Sequence, residues 1–299
     1  MTLTPPSPRQ TLSYLRNLFA ERGIRPKSKL GQSFLIDLNL IDLIIRSAEL
    51  SRDDLVLEVG SGTGGLTTRL VAEAGAVVSV ELDPAFAGLT EEVVPPQEHV
   101  VLLETDALKN KNELNPDMIE AMRTLAARTG TTRYKLVANL PYAVAVPLIS
   151  NLLLSDLSLE RMVVTVQWEI AGRLTACPGT KDYGALAVLI QSLTEVELIR
   201  QLPTSVFWPR PQVQSAIVRI VPVAEKRAHV GDVLRFRNFL RDLYTHRRKN
   251  LRSALSALPG GKRKKAEVDA RLGELGISGD CRAETLDLEQ HLQLCRTFT

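Results

Sequence analysis

Asp54-Leu55-Val56-Leu57-Glu58-Val59-Gly60-Ser61-Gly62-Thr63-Gly64-Gly65-Leu66-Thr67-Thr68-Arg69-Leu70 passes from an apolar run through a glycine turn into a helix start. Strand, glycine turn and helix in that order make a nucleotide-type cradle, because glycines let the backbone approach a ligand closely and supply dihedrals that a side chain forbids. A second apolar run, Ala76 to Val80, ends in Glu81 and Asp83, where a carboxylate can accept from both hydroxyls of a ribose. A third, Val100 to Glu104, leads to Asp106, placed to accept from an adenine amino group. The alternation of strand-like and helical patterns from Asp54 to Gln167 predicts an α/β fold, a doubly wound, mostly parallel sheet covered on both faces.

The cradle admits two ligands. Gly60, Gly62 and Gly65 satisfy the G-x-G-x-x-G spacing of a dinucleotide fold, with Glu81 near the ribose position. Glu58 ahead of the turn argues instead for a ligand without pyrophosphate and with a cationic amine. Glu58, Glu81 and Asp106 at three successive strand ends form an acidic rim, whereas a phosphate site wants donors and positive charge. S-adenosylmethionine, with an ammonium and a sulfonium, meets that requirement.

Tyr134 to Ala138 is another apolar run, and it ends in Asn139-Leu140-Pro141-Tyr142. The Asn139 amide oxygen and the Leu140 carbonyl are acceptors, and Tyr142 is a flat apolar face. That set suits a planar ring bearing an amino group. The plain alternative is a strand-ending turn, where Asn and X-Pro are common.

Four motifs in order carry a family resemblance: Lys29-Leu30-Gly31-Gln32-Ser33-Phe34-Leu35, the cradle from Glu58 to Gly64, Asn139 to Tyr142, and Phe207-Trp208-Pro209-Arg210-Pro211-Gln212-Val213-Gln214-Ser215. Gln167 to Arg173, Pro178 to Gly184, Arg247 to Leu251 and Arg282 to Leu286 extend it. From about residue 25 to its end the chain resembles the ribosomal RNA adenine N6,N6-dimethyltransferases. The resemblance implies a Rossmann-like methyltransferase sheet with a small C-terminal helical domain, and methyl transfer from S-adenosylmethionine to N6 of adenines in small-subunit ribosomal RNA. It places Asn139, Leu140, Pro141, Tyr142 and Phe207 at the target base, and Gln32, Ser33, Leu35, Gly60, Gly62, Glu81, Asp106 and Asn139 at the donor. Arg247, Arg248 and Lys249 are expected at the RNA. The chain departs from the pattern at Ser33, Ala143 and Gln214, where the family usually has Asn or His, a larger residue, and Asp. The connection from Ala107 to Thr132 is also longer, with Asn115-Pro116-Asp117 reading as the start of an added surface helix.

The chain has 299 residues, 44% of them hydrophobic, enough for one large domain and a small one. We read a basic lead-in over 1–28, a methyltransferase domain over 29–224 and a basic helical domain over 225–299. Net charge is +3, yet Lys226 to Lys265 holds thirteen Lys/Arg against two acids, +11, leaving −8 elsewhere. A charge run is usually a solvated helical face, but one this concentrated suits a phosphate backbone. Phe236, Phe239, Leu240 and Leu243 within it are spaced as a helix core. Cys177, Cys281 and Cys295 are odd in number and widely spaced, which argues against a disulfide framework and for a reducing compartment. Neither they nor the four histidines make a metal-ligand pattern, so no metal is expected.

No apolar stretch is long enough for a membrane span, and no secretory signal opens the chain. A soluble, cytoplasmic monomer with no membrane partner is expected. Residues 9–29 carry six basic side chains against Glu21, a pattern shared by transit peptides and by a short helix from Thr11 to Glu21 leading into the donor motif. Further helices are read over Leu66 to Ala74 and Val146 to Leu154, the latter with Pro147 in its first turn. Further strands are read over Met162 to Val166, Val196 to Leu202 and Ala216 to Val221, the last two joined by a loop containing Pro203, Pro209 and Pro211. Other functions remain open on sequence: a resistance-type methyltransferase of large-subunit rRNA, a nucleic-acid-binding transcription factor of the same fold, and a dinucleotide oxidoreductase.

Overall fold

The computed structural model describes residues 11–27, 31–259 and 263–299. Residues 1–10 and Ser28 of the lead-in, Lys29 and Leu30 of the donor motif, and Gly260 to Lys262 lie outside them. The chain divides into two units, Met1–Ala171 with Glu197–Val221, and Gly172–Val196 with Pro222–Thr299.

In the first unit, Thr11 caps helix α1 (Leu12–Arg22), accepting from the Tyr14 N–H, and Gly23 ends it in the left-handed conformation. A two-residue strand β1 (Phe34–Leu35) precedes α2 (Leu38–Ala48), and then the quoted stretch forms β2 (Asp54–Val59) and α3 (Gly65–Glu73). Next come β3 (Ala76–Glu81), α4 (Pro84–Val93), β4 (Val100–Glu104), a short hairpin of β5 (Leu108–Asn110) and β6 (Glu113–Leu114), α5 (Pro116–Thr129), β7 (Arg133–Asn139), α6 (Tyr142–Leu154) and β8 (Leu159–Gln167). After α7 (Trp168–Leu174) and α8 (Ala185–Gln191) follow β9 (Thr194–Leu202), β10 (Phe207–Trp208) and β11 (Ser215–Pro222).

The main sheet runs β4-β3-β2-β7-β8-β11-β9. Neighbours from β4 to β8 pair in parallel, and β11 runs antiparallel to β8. Strand order reverses between β2 and β7, and ligands of open α/β sheets bind beyond the carboxyl ends of strands at such a switch point. All six residues of β2 are buried, as a strand covered on both faces requires.

Three expectations change here. Helix α5 is not a surface addition: Asn115 caps it, and Met118, Met122 and Leu125 are buried. It is the crossover that parallel strands β4 and β7 require, and the hairpin β5–β6 precedes it in the same connection. Helix α6 starts at Tyr142, so Pro147 sits inside it rather than in its first turn. The proline-rich loop after β9 is not all loop, since Phe207 and Trp208 pair antiparallel with Leu35 and Phe34. Around that pairing Phe19 meets Phe34, Phe86 and Trp208 with ring centroids 5.2–5.6 Å apart, which packs α1 and α4 against β1 and β10.

The second unit contains α9 (Ala224–Val230), α10 (Val233–Thr245), α11 (Leu251–Ser256), α12 (Lys265–Glu274) and α13 (Leu288–Phe298), and it takes in Gly172–Val196, which the sequence pattern assigns to the large domain. Apolar α8 is the reason: Val188, Leu189 and Ile190 are buried where α10 and α13 pack on it. Phe236, Phe239, Leu240 and Leu243 form the buried face of α10, as their spacing predicts. His291 is fully buried, stacked on Tyr244 with ring centroids 5.9 Å apart. Its Nδ1 donates to the Asp287 carbonyl at 2.7 Å, which leaves Nε2 to accept from the Tyr244 hydroxyl at 3.1 Å. Burial lowers its pKa from 6.5 to about 4.

Between those two values the unfolded chain binds a proton that the folded one refuses. The stability this histidine contributes is therefore complete above about pH 6.5 and is lost as pH falls toward 4, by on the order of 3 kcal/mol. Melting curves of the parent chain and of His291→Gln from pH 7 to 4 should converge with acidification; parallel curves would remove His291 as a cause of acid sensitivity.

Candidate active site

Beyond the carboxyl ends of β2, β3, β4 and β7 lies a cavity lined entirely by first-unit residues. Gly60 has φ +84°, and a Cβ on it would come within 3.0 Å of the Pro141 ring. Gly62 has φ +57°, and a Cβ there would strike the Phe34 ring at 2.8 Å. Both glycines are thus required by conformation and by space. The Gly60 N–H donates to the Val80 carbonyl at 2.8 Å, tying the turn to β3.

The Glu81 carboxylate accepts the Gly62 N–H through Oε2 at 2.9 Å and the Asp83 N–H through Oε1 at 3.0 Å. These bonds aim it into the cavity and leave lone pairs for hydroxyl donors. Asp106 accepts the Leu108 N–H through Oδ1 at 2.9 Å and lines the same cavity. Asp83 does not join them. It is buried, caps α4, and meets Lys27 Nζ at 2.8 Å and Gln32 Nε2 at 2.9 Å. Burial raises its pKa, but the bonds from Lys27, Gln32 and the Ala85 N–H outweigh that and hold it below the ordinary carboxylate range. Gln32, whose Oε1 accepts the Lys27 N–H at 2.6 Å, is held at both ends of its amide on the cavity wall.

Glu58 is not part of the acidic rim. Its side chain is buried off the cavity, with Oε2 accepting from Thr67 and Ser79 at 2.6 Å each. Desolvation raises its pKa to about 7 against the lowering effect of those hydroxyls. The Leu35 side chain does not line the cavity. Successive residues of a strand face opposite ways, so Phe34 lines the cavity and Leu35 packs into the sheet core.

On the target side, Asn139 Nδ2 donates to the Ser33 carbonyl at 3.0 Å. The amide is thereby oriented, and among the described residues nothing occupies its Oδ1. Among the described residues no backbone N–H reaches the Leu140 carbonyl either, and Pro141 after it caps α6. Tyr142 has its hydroxyl 2.7 Å from the Oγ of Ser215, which is fully buried at the start of β11. Burial raises the pKa of Tyr142, offset in part by Ser215. Phe207 lines the cavity but is only 2% exposed and packs into the core, so little of its ring is available to a base. Phe34, which lines the cavity, and Ser215, which holds the Tyr142 hydroxyl, stand inside the first and fourth motifs but take no role from the resemblance; the period-2 alternation of β1 points to the first.

Arg247, Arg248 and Lys249 are not among the residues that line this cavity; with Lys181 and Arg282 they line a groove of the second unit. Arg247 is committed within it: Nε donates to Glu284 at 2.8 Å and an Nη to the Lys181 carbonyl at 2.5 Å. Arg248 and Lys249 have no such side-chain partner among the described residues. Other charges of the basic segment are also satisfied internally, Arg252 by Asp269 and Asp280, and Lys226 by the Gln191 and Thr194 carbonyls. Among the described residues no group of His, Cys, Asp and Glu could hold a metal, no helix is long and apolar enough to cross a membrane, and all three cysteines are free.

The family model described as ribosomal RNA adenine dimethylase matches residues 23–298. A ribosomal RNA small subunit methyltransferase A of Pelotomaculum thermopropionicum is 40% identical over 287 residues, 95% of each chain. Among solved structures, a dimethyladenosine transferase from Plasmodium falciparum aligns with TM-score 0.69 at 23% identity, over 86% of this chain and 94% of that one. The 23S rRNA methyltransferase ErmE aligns with TM-score 0.61 at 26% identity, over 89% and 99%.

Gly60→Ala should lower donor affinity and methyl transfer together, since the left-handed conformation alone costs a residue with a Cβ about 1–3 kcal/mol and the new methyl meets the Pro141 ring. Calorimetric titration with S-adenosylmethionine, beside a melting curve, is the check; parent affinity in Gly60→Ala would mean that the wall yields.

Proposed function

The chain belongs to the ribosomal RNA adenine dimethylase family and is an S-adenosylmethionine-dependent rRNA adenine methyltransferase, and from that premise we propose that it dimethylates N6 of adjacent adenosines in small-subunit rRNA during ribosome biogenesis. The observation that carries this reading is the Asn139 amide, fixed through Nδ2 by the Ser33 carbonyl so that Oδ1 is left as an acceptor beside the unbonded Leu140 carbonyl and the Tyr142 ring. A small-subunit target is supported by the name of the relative at 40% identity. We place the reaction in the cytoplasm, carried out by a monomer, a reading that three free cysteines suit.

The cavity fits the donor. Backbone at Gly60 and Gly62 approaches where no Cβ stands, Glu81 would hold the ribose hydroxyls, Asp106 the adenine amino group, and the Gln32–Ser33 wall the methionine end. When bound, S-adenosylmethionine supplies an electrophilic methyl on a cationic sulfur. The chain's own task is to orient the acceptor. An adenine N6 is a weak nucleophile because its lone pair is delocalised into the ring. Asn139 Oδ1 and the Leu140 carbonyl, accepting its two protons, draw that nitrogen toward a tetrahedral shape with the lone pair aimed at the methyl. Tyr142 stacks on the base, which must leave its own stack to be reached. No strong base is needed, since the N6 proton becomes acidic once the nitrogen carries the methyl. After one transfer a single N–H remains, and either acceptor can hold it for the second.

Labelled S-adenosylmethionine offered with unmodified small subunits or with large-subunit rRNA tests the assignment. Label on dimethyladenosine of the small subunit alone is expected; label only on large-subunit rRNA would assign the chain to the resistance type. Asn139→Ala should reduce transfer by the equivalent of about 2.7–4 kcal/mol, by analogy with removal of one oxyanion-hole donor, while donor affinity falls far less. Near-parent transfer in that variant would refute the mechanism.

We assign Arg248 and Lys249 to the RNA backbone. Their joint change to Gln should flatten the salt dependence of subunit binding by roughly 0.7–0.9 in logarithmic slope for each phosphate that is no longer neutralised. Arg247→Gln should instead lower the melting temperature, as expected of an internal strut. Unchanged slopes in a stable double variant would leave these cations structural.

A further inference from the structure

We propose that Trp168 and Val213 form a shelf for a second nucleobase, the neighbour of the adenosine in the cavity; this rests on the reading that adjacent adenosines are the substrate. Both are large apolar side chains left in solvent, Trp168 38% and Val213 45% exposed. The Trp168 N–H donates to the Gln214 carbonyl at 2.9 Å, which sets Trp168 beside the residue that follows Val213 in the chain. The Gln214 side chain is itself fixed, accepting from Gln201 Nε2 at 2.6 Å.

The shelf continues the target side of the cavity. Gln167, which precedes Trp168, pairs with Ser215, and Ser215 holds the Tyr142 hydroxyl. Trp168 follows β8 directly, and β8 pairs in parallel with β7 so that Thr165 stands beside Asn139. The indole therefore leaves the sheet at the same carboxyl edge as the amide that receives the target, one strand further along. Glu81 and Asp106, which take the donor, stand on the far side of β2, so the shelf is on the nucleic-acid side of the cavity.

The occupant follows from chemistry. Enzymes that extrude a target base also contact its flanking nucleotides, and a flanking base that has lost its stacking partner gains by stacking on an exposed aromatic face, an interaction tolerant of base identity. A neighbouring adenosine so held is the next substrate of the same cavity.

Four chains decide it, the parent, Trp168→Ala, Trp168→Leu and Trp168→Tyr, each assayed for methyl transfer to unmodified small subunits. Trp168→Ala should raise the subunit KM on the order of 30-fold, the middle of the range for one stacked base, with kcat, donor affinity and melting temperature near parent. Tyr should restore KM and Leu should not. A parent-like KM in Trp168→Ala, or equal restoration by Leu and Tyr, overturns the proposal. The chain has two tryptophans, so Trp208→Phe makes Trp168 the sole reporter. Its fluorescence should be quenched by a short oligoribonucleotide with two adjacent adenosines, and less by one in which the second base is abasic; equal quenching by both also overturns it. If the parent labels large-subunit rRNA and not small subunits, the assigned substrate has failed, and the four chains are compared on the labelled RNA.

Discussion

The absence of one Cβ organises the first unit. Gly60, at φ +84°, lies with its bare Cα against the Pro141 ring, so the end of β2 and the end of β7 close on each other across the switch point of the sheet. A side chain at residue 60 would separate them. With Gly60 in place, the glycine turn and the Asn139–Tyr142 segment share one chamber, and the Ser33 carbonyl can reach Asn139 Nδ2. A methyl group can pass between two molecules only if both are held within reach of one point. Here that condition is met by a close backbone approach and not by a flexible arm.

The same two strands are joined at their opposite ends by charge. Lys135 and Asp54 are both buried, with Nζ 3.0 Å from Oδ2, and Nζ also donates to the Ala48 and Glu49 carbonyls at 3.2 and 2.7 Å. Asp54 Oδ2 in turn accepts the Ser51 N–H at 2.6 Å. Arg133 Nε stands a further 2.9 Å from Asp54 Oδ1, and removing one partner of a buried ion pair typically costs about 3–5 kcal/mol because the other charge is left uncompensated. The pair thus holds β2 beside β7 at the amino end of the sheet, while Gly60 and Pro141 set their spacing at the carboxyl end, where the cavity opens.

The parts of this arrangement that are legible in the sequence are those encoded locally. Apolar runs ending in Gly60, Glu81, Asp106 and Asn139 locate the strands, because a strand buried on both faces is marked by its own residues. Facing is less legible. Glu58 precedes the strand end by one residue and Leu35 follows Phe34 by one, and a single step in a strand turns a side chain to the other face. Nor does the sequence reveal the pairing of Phe34-Leu35 with Phe207-Trp208, since each is two residues long and their partnership is set by the aromatic cluster with Phe19 and Phe86. Gly172–Val196 is hard to place for a related reason: the apolar run of α8 declares that it is buried, not which core buries it. In the basic segment, composition reveals the charge but not that Arg247 and Arg252 already have carboxylate partners.

The electrostatics of the cavity follow from which carboxylates reach it. Glu58, near half-ionised at neutral pH because burial raises its pKa to about 7, adds little fixed charge and faces away. Glu81 and Asp106 supply the negative potential, each held in place by backbone N–H bonds that leave acceptor capacity toward the ligand. A cationic sulfonium is drawn to such a potential, and Coulomb attraction is stronger where protein walls exclude water. Methyl transfer turns that sulfonium into a neutral thioether, so the field that favours the donor no longer favours the product to the same degree. The acidic side of the cavity therefore favours the charged donor over its neutral product, and so favours exchange after a transfer.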